Sequence, residues 1–199
     1  MRAPLLRLAA LMATVLLGAA APSAARILVV GDSNAVGLGV PASHAWPNRL
    51  ERMTREFVQV YGAPGLSVGF PEIGVGWQPD CLFFDLGLAA AAPGAGLRAA
   101  VFALGTNDST TPLDLVRSAT RNTLAFVHAP WICITPLRVK GEKGELDPLR
   151  QVIREECQMV GARIVEGGTL IDDDDLYDGV HLDTSGHAKL ARAVAAALP

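Results

Sequence analysis

Five short and nearly continuous apolar stretches recur along the chain, and they strongly limit the folds that it can adopt. Each stretch is rich in aliphatic or β-branched residues and is bounded by Gly, Pro or polar residues typical of turns. Strands with little alternation between apolar and polar residues are covered on both faces, as in a parallel sheet. The predicted strands are residues 26–30, 56–61, 99–104, 131–135 and 163–166.

Helical patterns lie between and after these stretches. Residues 148–160 place apolar side chains at helical spacing, with Asp147 as the expected cap and Gly161 as the stop. A second helix is predicted over residues 185–198. Because strands alternate with helices, the chain is predicted to have an α/β fold, a parallel sheet with helices on both sides.

The first 25 residues have the pattern of a secretory signal peptide. Two arginines make a basic start, residues 8–20 form an uncharged, almost entirely apolar run, and small residues precede Arg26. The apolar run is shorter than the roughly 20 residues that a membrane-spanning helix needs. We therefore predict a signal peptide over residues 1–25 and one domain over 26–199. Export to the periplasm or the extracellular space follows, with no stable membrane association after cleavage.

Charge and composition narrow the expected partners. The chain has 17 basic and 20 acidic residues, a net charge of −3 and no long basic run, which argues against nucleic acid as a partner. No zinc-type Cys/His spacing and no lysine-containing phosphate loop is present, so we predict that no metal and no cofactor is needed. The acidic run 172–175 lacks the spaced ligands of a calcium loop, and a solvated turn is favoured. The sequence does not indicate an oligomeric state.

Three cysteines are present, and an odd number cannot be fully paired within one chain. Cys133 and Cys157 fall within apolar patterns and are predicted to be packing residues. A bridge from Cys81 to either of them remains open, because export leads to an oxidising compartment.

A serine lies just past the end of the first predicted strand. Ser33 is expected at the carboxyl edge of the sheet, where sites form in open α/β folds. A serine hydroxyl needs a base, and His181 is the candidate because Asp178, three residues earlier, can orient its imidazole. Ser33 could instead only cap a helix. His187 is an alternative base, but it has no acidic residue three positions before it.

Acyl transfer also needs hydrogen-bond donors for the developing oxyanion. Gly65 follows the second strand and could present an unobstructed backbone N–H, while Asn107 follows the third and could supply its side-chain amide. The backbone N–H of Ser33 would be the third donor. Gly62 is an alternative to Gly65, which is favoured by its distance past the strand.

Four motifs, in this order, resemble those of the SGNH (GDSL-type) hydrolase superfamily. They are Gly31-Asp32-Ser33, Gly65, Gly105-Thr106-Asn107-Asp108 and Asp178-x-x-His181. The resemblance implies a three-layer α/β/α sandwich with a five-stranded parallel sheet, and serine esterase, lipase, thioesterase or carbohydrate-deacetylase activity. By position it implies that Ser33 is the nucleophile, His181 the base and Asp178 its orienting group, with Ser33, Gly65 and Asn107 as the oxyanion donors.

Two positions depart from the family pattern. An asparagine common shortly before the second-motif glycine is absent, and Asn34 stands where the family name has leucine. The residues alone assign no role to Asn34.

These observations together predict an exported serine esterase whose partner is a small-molecule or polysaccharide ester. A 6% aromatic content and a short chain favour small acyl groups, acetyl in particular, and the loop over residues 66–80 is expected to shape specificity. One alternative is a lipase, thioesterase or lysophospholipase of broad range. Another is a catalytically inactive carbohydrate-binding module on the same fold.

Overall fold

The computed structural model describes residues 26–68 and 96–199. The predicted signal peptide, Cys81 and most of the loop 66–80 lie outside the described residues. The strands are β1 (Arg26–Gly31), β2 (Phe57–Gly62), β3 (Leu97–Ala103), β4 (Trp131–Ile134) and β5 (Arg163–Val165). The helices are α1 (Ser33–Val36), α2 (Trp46–Thr54), α3 (Leu113–Phe126), α4 (Asp147–Met159), α5 (Gly167–Leu170) and α6 (Thr184–Ala197).

All five predicted strands are present, and they form one parallel sheet in the order β2-β1-β3-β4-β5. β1 therefore lies between β2 and β3. Gly31, the last residue of β1, pairs with Gly62 at the end of β2 and with Ala103 at the end of β3. The three strands end level, so the loops that follow them start side by side.

Side chains of β1 point alternately to the two faces of the sheet, and each face is covered by helices. Ile27 and Val29 belong to a buried cluster that includes residues of α2 and α6. Leu28 and Val30 belong to a second cluster that includes residues of α3 and α4. Burial on both faces explains the nearly continuous apolar strands, and it confirms the predicted three-layer α/β/α architecture.

The predicted role of two cysteines needs correction. Cys133 and Cys157 are buried, as expected for packing residues, but they also form a disulfide that joins β4 to α4. Their Cα atoms lie 6.3 Å apart because α4 packs its buried stripe against β4, and this distance is within the range that a disulfide can bridge. Cys81 is not part of this pair.

The acidic run is more structured than a solvated turn. Residues Asp173–Asp175 form a short 3₁₀ helix, and the Asp175 carboxylate accepts a 2.9 Å hydrogen bond from the N–H of the cap residue Asp172. Asp175 is buried and accepts a 2.6 Å hydrogen bond from Lys189 in α6. Within residues 26–68 and 96–199, no group of three or more His, Cys, Asp or Glu is placed to hold a metal ion. No helix in the same ranges has the length and apolarity needed to cross a membrane.

Candidate active site

Ser33 lies at the carboxyl end of the central strand β1 and is the first residue of α1. Asp32 precedes it as the cap of α1, and its carboxylate accepts a 2.9 Å hydrogen bond from the backbone N–H of Asn34. Burial raises the pKa of Asp32 to about 6. Asp32 thus has a structural role in this turn.

The second part of the site is a tight turn between Tyr177 and His181. The backbone N–H of Tyr177 donates to the carbonyl of His181 over 3.0 Å. One carboxylate oxygen of Asp178 accepts from the backbone N–H groups of Val180 and His181, at 3.0 and 2.8 Å. These bonds place the Asp178 carboxylate and the His181 imidazole on the same side of the turn.

The structure brings Asp178, His181 and Ser33 together in that order, each within hydrogen-bond distance of the next. Asp178 Oδ2 lies 2.7 Å from His181 Nδ1, and His181 Nε2 lies 3.0 Å from Ser33 Oγ. Because an ionised carboxylate only accepts, Nδ1 carries the proton and Nε2 presents its lone pair to the serine hydroxyl. Burial acts to raise the pKa of Asp178, but the hydrogen bonds from His181 and Val180 outweigh it and hold that pKa well below its usual range.

The two predicted oxyanion loops lie on either side of β1, since β2 and β3 are its neighbours. Gly65 has φ +77° in a turn closed by the Leu66 N–H and the Ala63 carbonyl, and this backbone conformation favours glycine. Gly62 has a separate reason to be glycine, because a Cβ there would lie 2.4 Å from the carbonyl oxygen of Gly31.

The loop after β3 holds the loop after β2. The Asn107 side-chain amide donates to the Leu66 carbonyl over 2.9 Å, and it carries a second hydrogen that can serve another acceptor. Asp108 Oδ2 accepts a 2.7 Å hydrogen bond from the Val68 N–H. Asp108 therefore supports the loop after β2, and the two loops are joined as one unit.

Tyr177 is a contact of the site that sequence reasoning missed. Its ring stacks on the His181 imidazole, with 5.9 Å between the ring centroids and 27° between the planes. The sequence signal that could have identified this contact is the position of Tyr177, directly before Asp178. The spacing alone does not show on which side of the imidazole the ring packs.

His187, the alternative base, lies elsewhere. It is fully buried in α6, and its Nδ1 accepts a 3.2 Å hydrogen bond from the Trp46 N–H at the start of α2. Within the described residues, its Nε2 is buried without a hydrogen-bond partner. Burial, with a contribution from the Arg49 charge, lowers the pKa of His187 to about 4. This imidazole is a neutral cap for α2.

Comparisons by sequence find no matching family model and no matching curated protein. Solved structures do share the fold. A carbohydrate acetylesterase family member from Sinorhizobium meliloti has 18% identity and a TM-score of 0.67, over 86% of this chain and 96% of that one. A member of the lipolytic protein G-D-S-L family from Veillonella parvula has 18% identity and a TM-score of 0.64, over 86% and 96%. A family two carbohydrate esterase from Clostridium thermocellum, in complex with cellohexaose, has 18% identity and a TM-score of 0.66, over 86% and 62%.

The buried His187 makes stability depend on pH. The unfolded chain binds this proton below a pKa near 6.5, whereas the folded chain binds it only below about 4. Between these values the unfolded state holds more protons, so the free energy of unfolding contributed by His187 falls as the pH drops. Urea unfolding of wild type and His187→Gln should give a difference in free energy that declines by up to about 3 kcal/mol from pH 7 to pH 4.

Asp32 has the opposite effect on stability, because its pKa is raised in the folded chain. Wild type and His187→Gln share this effect, so it cancels from the difference between their free energies of unfolding. His128→Gln, at an exposed position, is the matched control and should leave the pH dependence of wild type unchanged. A difference between wild type and His187→Gln that is independent of pH would contradict the assignment.

Proposed function

We propose that this chain is a serine hydrolase of the SGNH (GDSL-type) superfamily, which cleaves carboxylic esters through an acyl-enzyme on Ser33. One observation carries the proposal: His181 Nε2 lies 3.0 Å from Ser33 Oγ while its Nδ1 is held 2.7 Å from Asp178. A base within hydrogen-bond reach of a nucleophile, itself oriented by a third group, is the geometry of nucleophilic catalysis. The fold shared with esterases supports it.

In the proposed reaction, His181 takes the Ser33 proton as Oγ attacks the carbonyl carbon of the ester. The imidazolium formed is stabilised by the ionised Asp178, whose lowered pKa keeps it charged. The tetrahedral intermediate collapses when His181 gives its proton to the leaving alcohol. Water then enters, loses a proton to His181 and attacks the acyl-enzyme, which releases the acid and restores Ser33.

The negative oxygen of the intermediate is assigned to three donors: the backbone N–H groups of Ser33 and Gly65, and the side chain of Asn107. Their loops flank Ser33, and the bonds from Asn107 to Leu66 and from Asp108 to Val68 fix one loop on the other. Donors that are held in place before the reaction stabilise developing charge most effectively.

The proposed substrate is an ester with a short acyl group, in particular an O-acetyl group on a carbohydrate. Similar structures include a carbohydrate acetylesterase family member and a carbohydrate esterase in complex with cellohexaose. The low aromatic content offers little surface for long lipid chains. Export, expected from the apolar amino terminus, would bring the enzyme to cell-wall or extracellular polysaccharide.

The broad-range alternative is a lipase, thioesterase or lysophospholipase on the same Ser33. It is separated from the short-acyl proposal by acyl preference alone. The inactive carbohydrate-binding module is disfavoured, because such a module has no need for a serine, histidine and aspartate in hydrogen-bonded order.

Labelling with a fluorophosphonate tests the hydrolase proposal directly. The Ser33 oxygen should displace fluoride from phosphorus, and mass spectrometry should find a single adduct on the peptide that contains Ser33. Ser33→Ala should remain unlabelled, and His181→Ala should react far more slowly because no base removes the proton. A wild-type protein that does not react, or reacts at another residue, would refute the proposal and favour the binding module.

Acyl preference is tested with p-nitrophenyl esters from acetate to palmitate, followed by acetylated xylan and acetylated peptidoglycan. We expect kcat/KM to decrease with acyl length and acetate to be released from at least one polysaccharide. Higher kcat/KM for palmitate than for acetate would reject the short-acyl proposal in favour of the broad-range alternative, while the hydrolase assignment would stand.

Asn107→Ala tests the oxyanion assignment. Loss of one donor should lower kcat about 10²- to 10³-fold with little change in KM, because the donor acts on the charge of the transition state. Steady-state kinetics on p-nitrophenyl acetate measures both. Ser109→Ala, an exposed change in the same loop, is the control and should behave as wild type. Wild-type kcat in Asn107→Ala would remove Asn107 from this role.

A further inference from the structure

Asn34 is the residue after the nucleophile, and the sequence assigned it no role. It stands where the family name has leucine, yet its side chain is polar and only 3% exposed in α1. A buried amide is stable only where it finds hydrogen-bond partners, so its contacts identify what it does.

The Asn34 side chain reaches the backbone on both sides of the proposed base. Its Oδ1 accepts a 2.9 Å hydrogen bond from the N–H of Leu182, and its Nδ2 lies 3.5 Å from the carbonyl oxygen of Val180. These two backbone groups flank His181. The residues in these two contacts are 148 and 146 positions apart, so the contacts join two segments that are distant in the sequence.

One further backbone bond reaches the turn from outside, from the Lys140 N–H to the Gly179 carbonyl over 2.8 Å, and it comes from the loop after β4 and not from the Ser33 helix. The remaining backbone bonds are internal to the turn. The Tyr177 N–H donates to the His181 carbonyl, and Asp178 accepts from the N–H groups of Val180 and His181, which gives the turn its shape. Shape alone does not set the distance from the imidazole to Ser33. Asn34 follows Ser33 directly in the same helix, so its contacts with Val180 and Leu182 connect the backbone of the base to the backbone of the nucleophile.

We propose that Asn34 is a positioning residue, which brackets His181 through the Val180 carbonyl and the Leu182 N–H and thereby holds Nε2 at hydrogen-bond distance from Ser33 Oγ. The inference rests on the proposed hydrolase function and deepens it. Asn34 does not touch the reacting atoms in this role. A leucine at this position would fill similar space but could neither accept from Leu182 nor donate to Val180.

The experiment compares wild type with Asn34→Leu, using the rate of fluorophosphonate labelling and the kinetics of p-nitrophenyl acetate hydrolysis. We expect labelling and kcat to fall about 10²-fold in Asn34→Leu, because a displaced base no longer meets the serine proton in line. KM should stay within a factor of about two, since no substrate contact is lost. Measurements are made well below the unfolding temperature of each variant.

Thr135→Val is the matched control for a structural effect. The Thr135 hydroxyl is also buried and accepts a 2.9 Å hydrogen bond from a distant backbone N–H, that of Gly167. Its loss should lower the unfolding temperature while kcat and the labelling rate stay at wild-type values. If Asn34→Leu also loses only thermal stability, Asn34 is structural and the proposal is wrong.

Asn34→Asp decides the question if Asn34→Leu does not fold. The aspartate keeps the volume and the acceptor for Leu182, but its ionised carboxylate faces the Val180 carbonyl, and two acceptors repel each other. We expect a lower kcat at the plateau of the pH–rate profile, where the effect of the new charge on His181 protonation no longer contributes. A plateau kcat equal to wild type overturns the proposal. Failure of wild type itself to label refutes the hydrolase function instead, so the two failures are distinguishable.

Discussion

The contact between His181 and Ser33 depends on bringing together two residues that are 148 positions apart. Apolar burial provides the coarse approach. Helix α6 packs Leu190 and Val194 into the same cluster as Ile27 and Val29 of β1, so the turn before α6 lies over the carboxyl end of that strand. Hydrogen bonds provide the fine adjustment, because the proton transfer needs a distance that packing alone does not define.

On the proposed oxyanion side of the site, packing and hydrogen bonds also act together, but through different residues. β2 and β3 flank β1, and their loops present Gly65 and Asn107 at the common edge. Side chains of the β3 loop then bond backbone atoms of the β2 loop, through Asn107 and Asp108. The loops that carry Gly65 and Asn107 thereby hold each other in place. Such mutual support suits donors that must be oriented before charge develops.

Burial and hydrogen bonding shift the pKa values of three ionisable groups near this edge in different directions. Asp178 keeps its charge because backbone and imidazole donors surround it, despite partial burial. Asp32, two residues from the end of β1's apolar run, has its pKa raised by burial. His187 is buried with a backbone donor on one nitrogen and stays neutral. Of His181 and His187, only His181 combines an acidic partner with access to Ser33.

The amino-acid sequence by itself determined the five strands, two of the three longest helices (over residues 148–160 and 185–198), and the edge at which Ser33, Gly65, Asn107 and His181 gather. These features are local, because apolar periodicity sets each element and parallel strands bring their carboxyl ends to one edge. Only the tertiary structure decided that Cys133 pairs with Cys157, that Lys189 pairs with the buried Asp175, and that Asn34 bonds the backbone around His181. Each of these contacts depends on the separation and direction of side chains on different elements, and the packing of helices on the sheet sets those quantities, which no local pattern encodes.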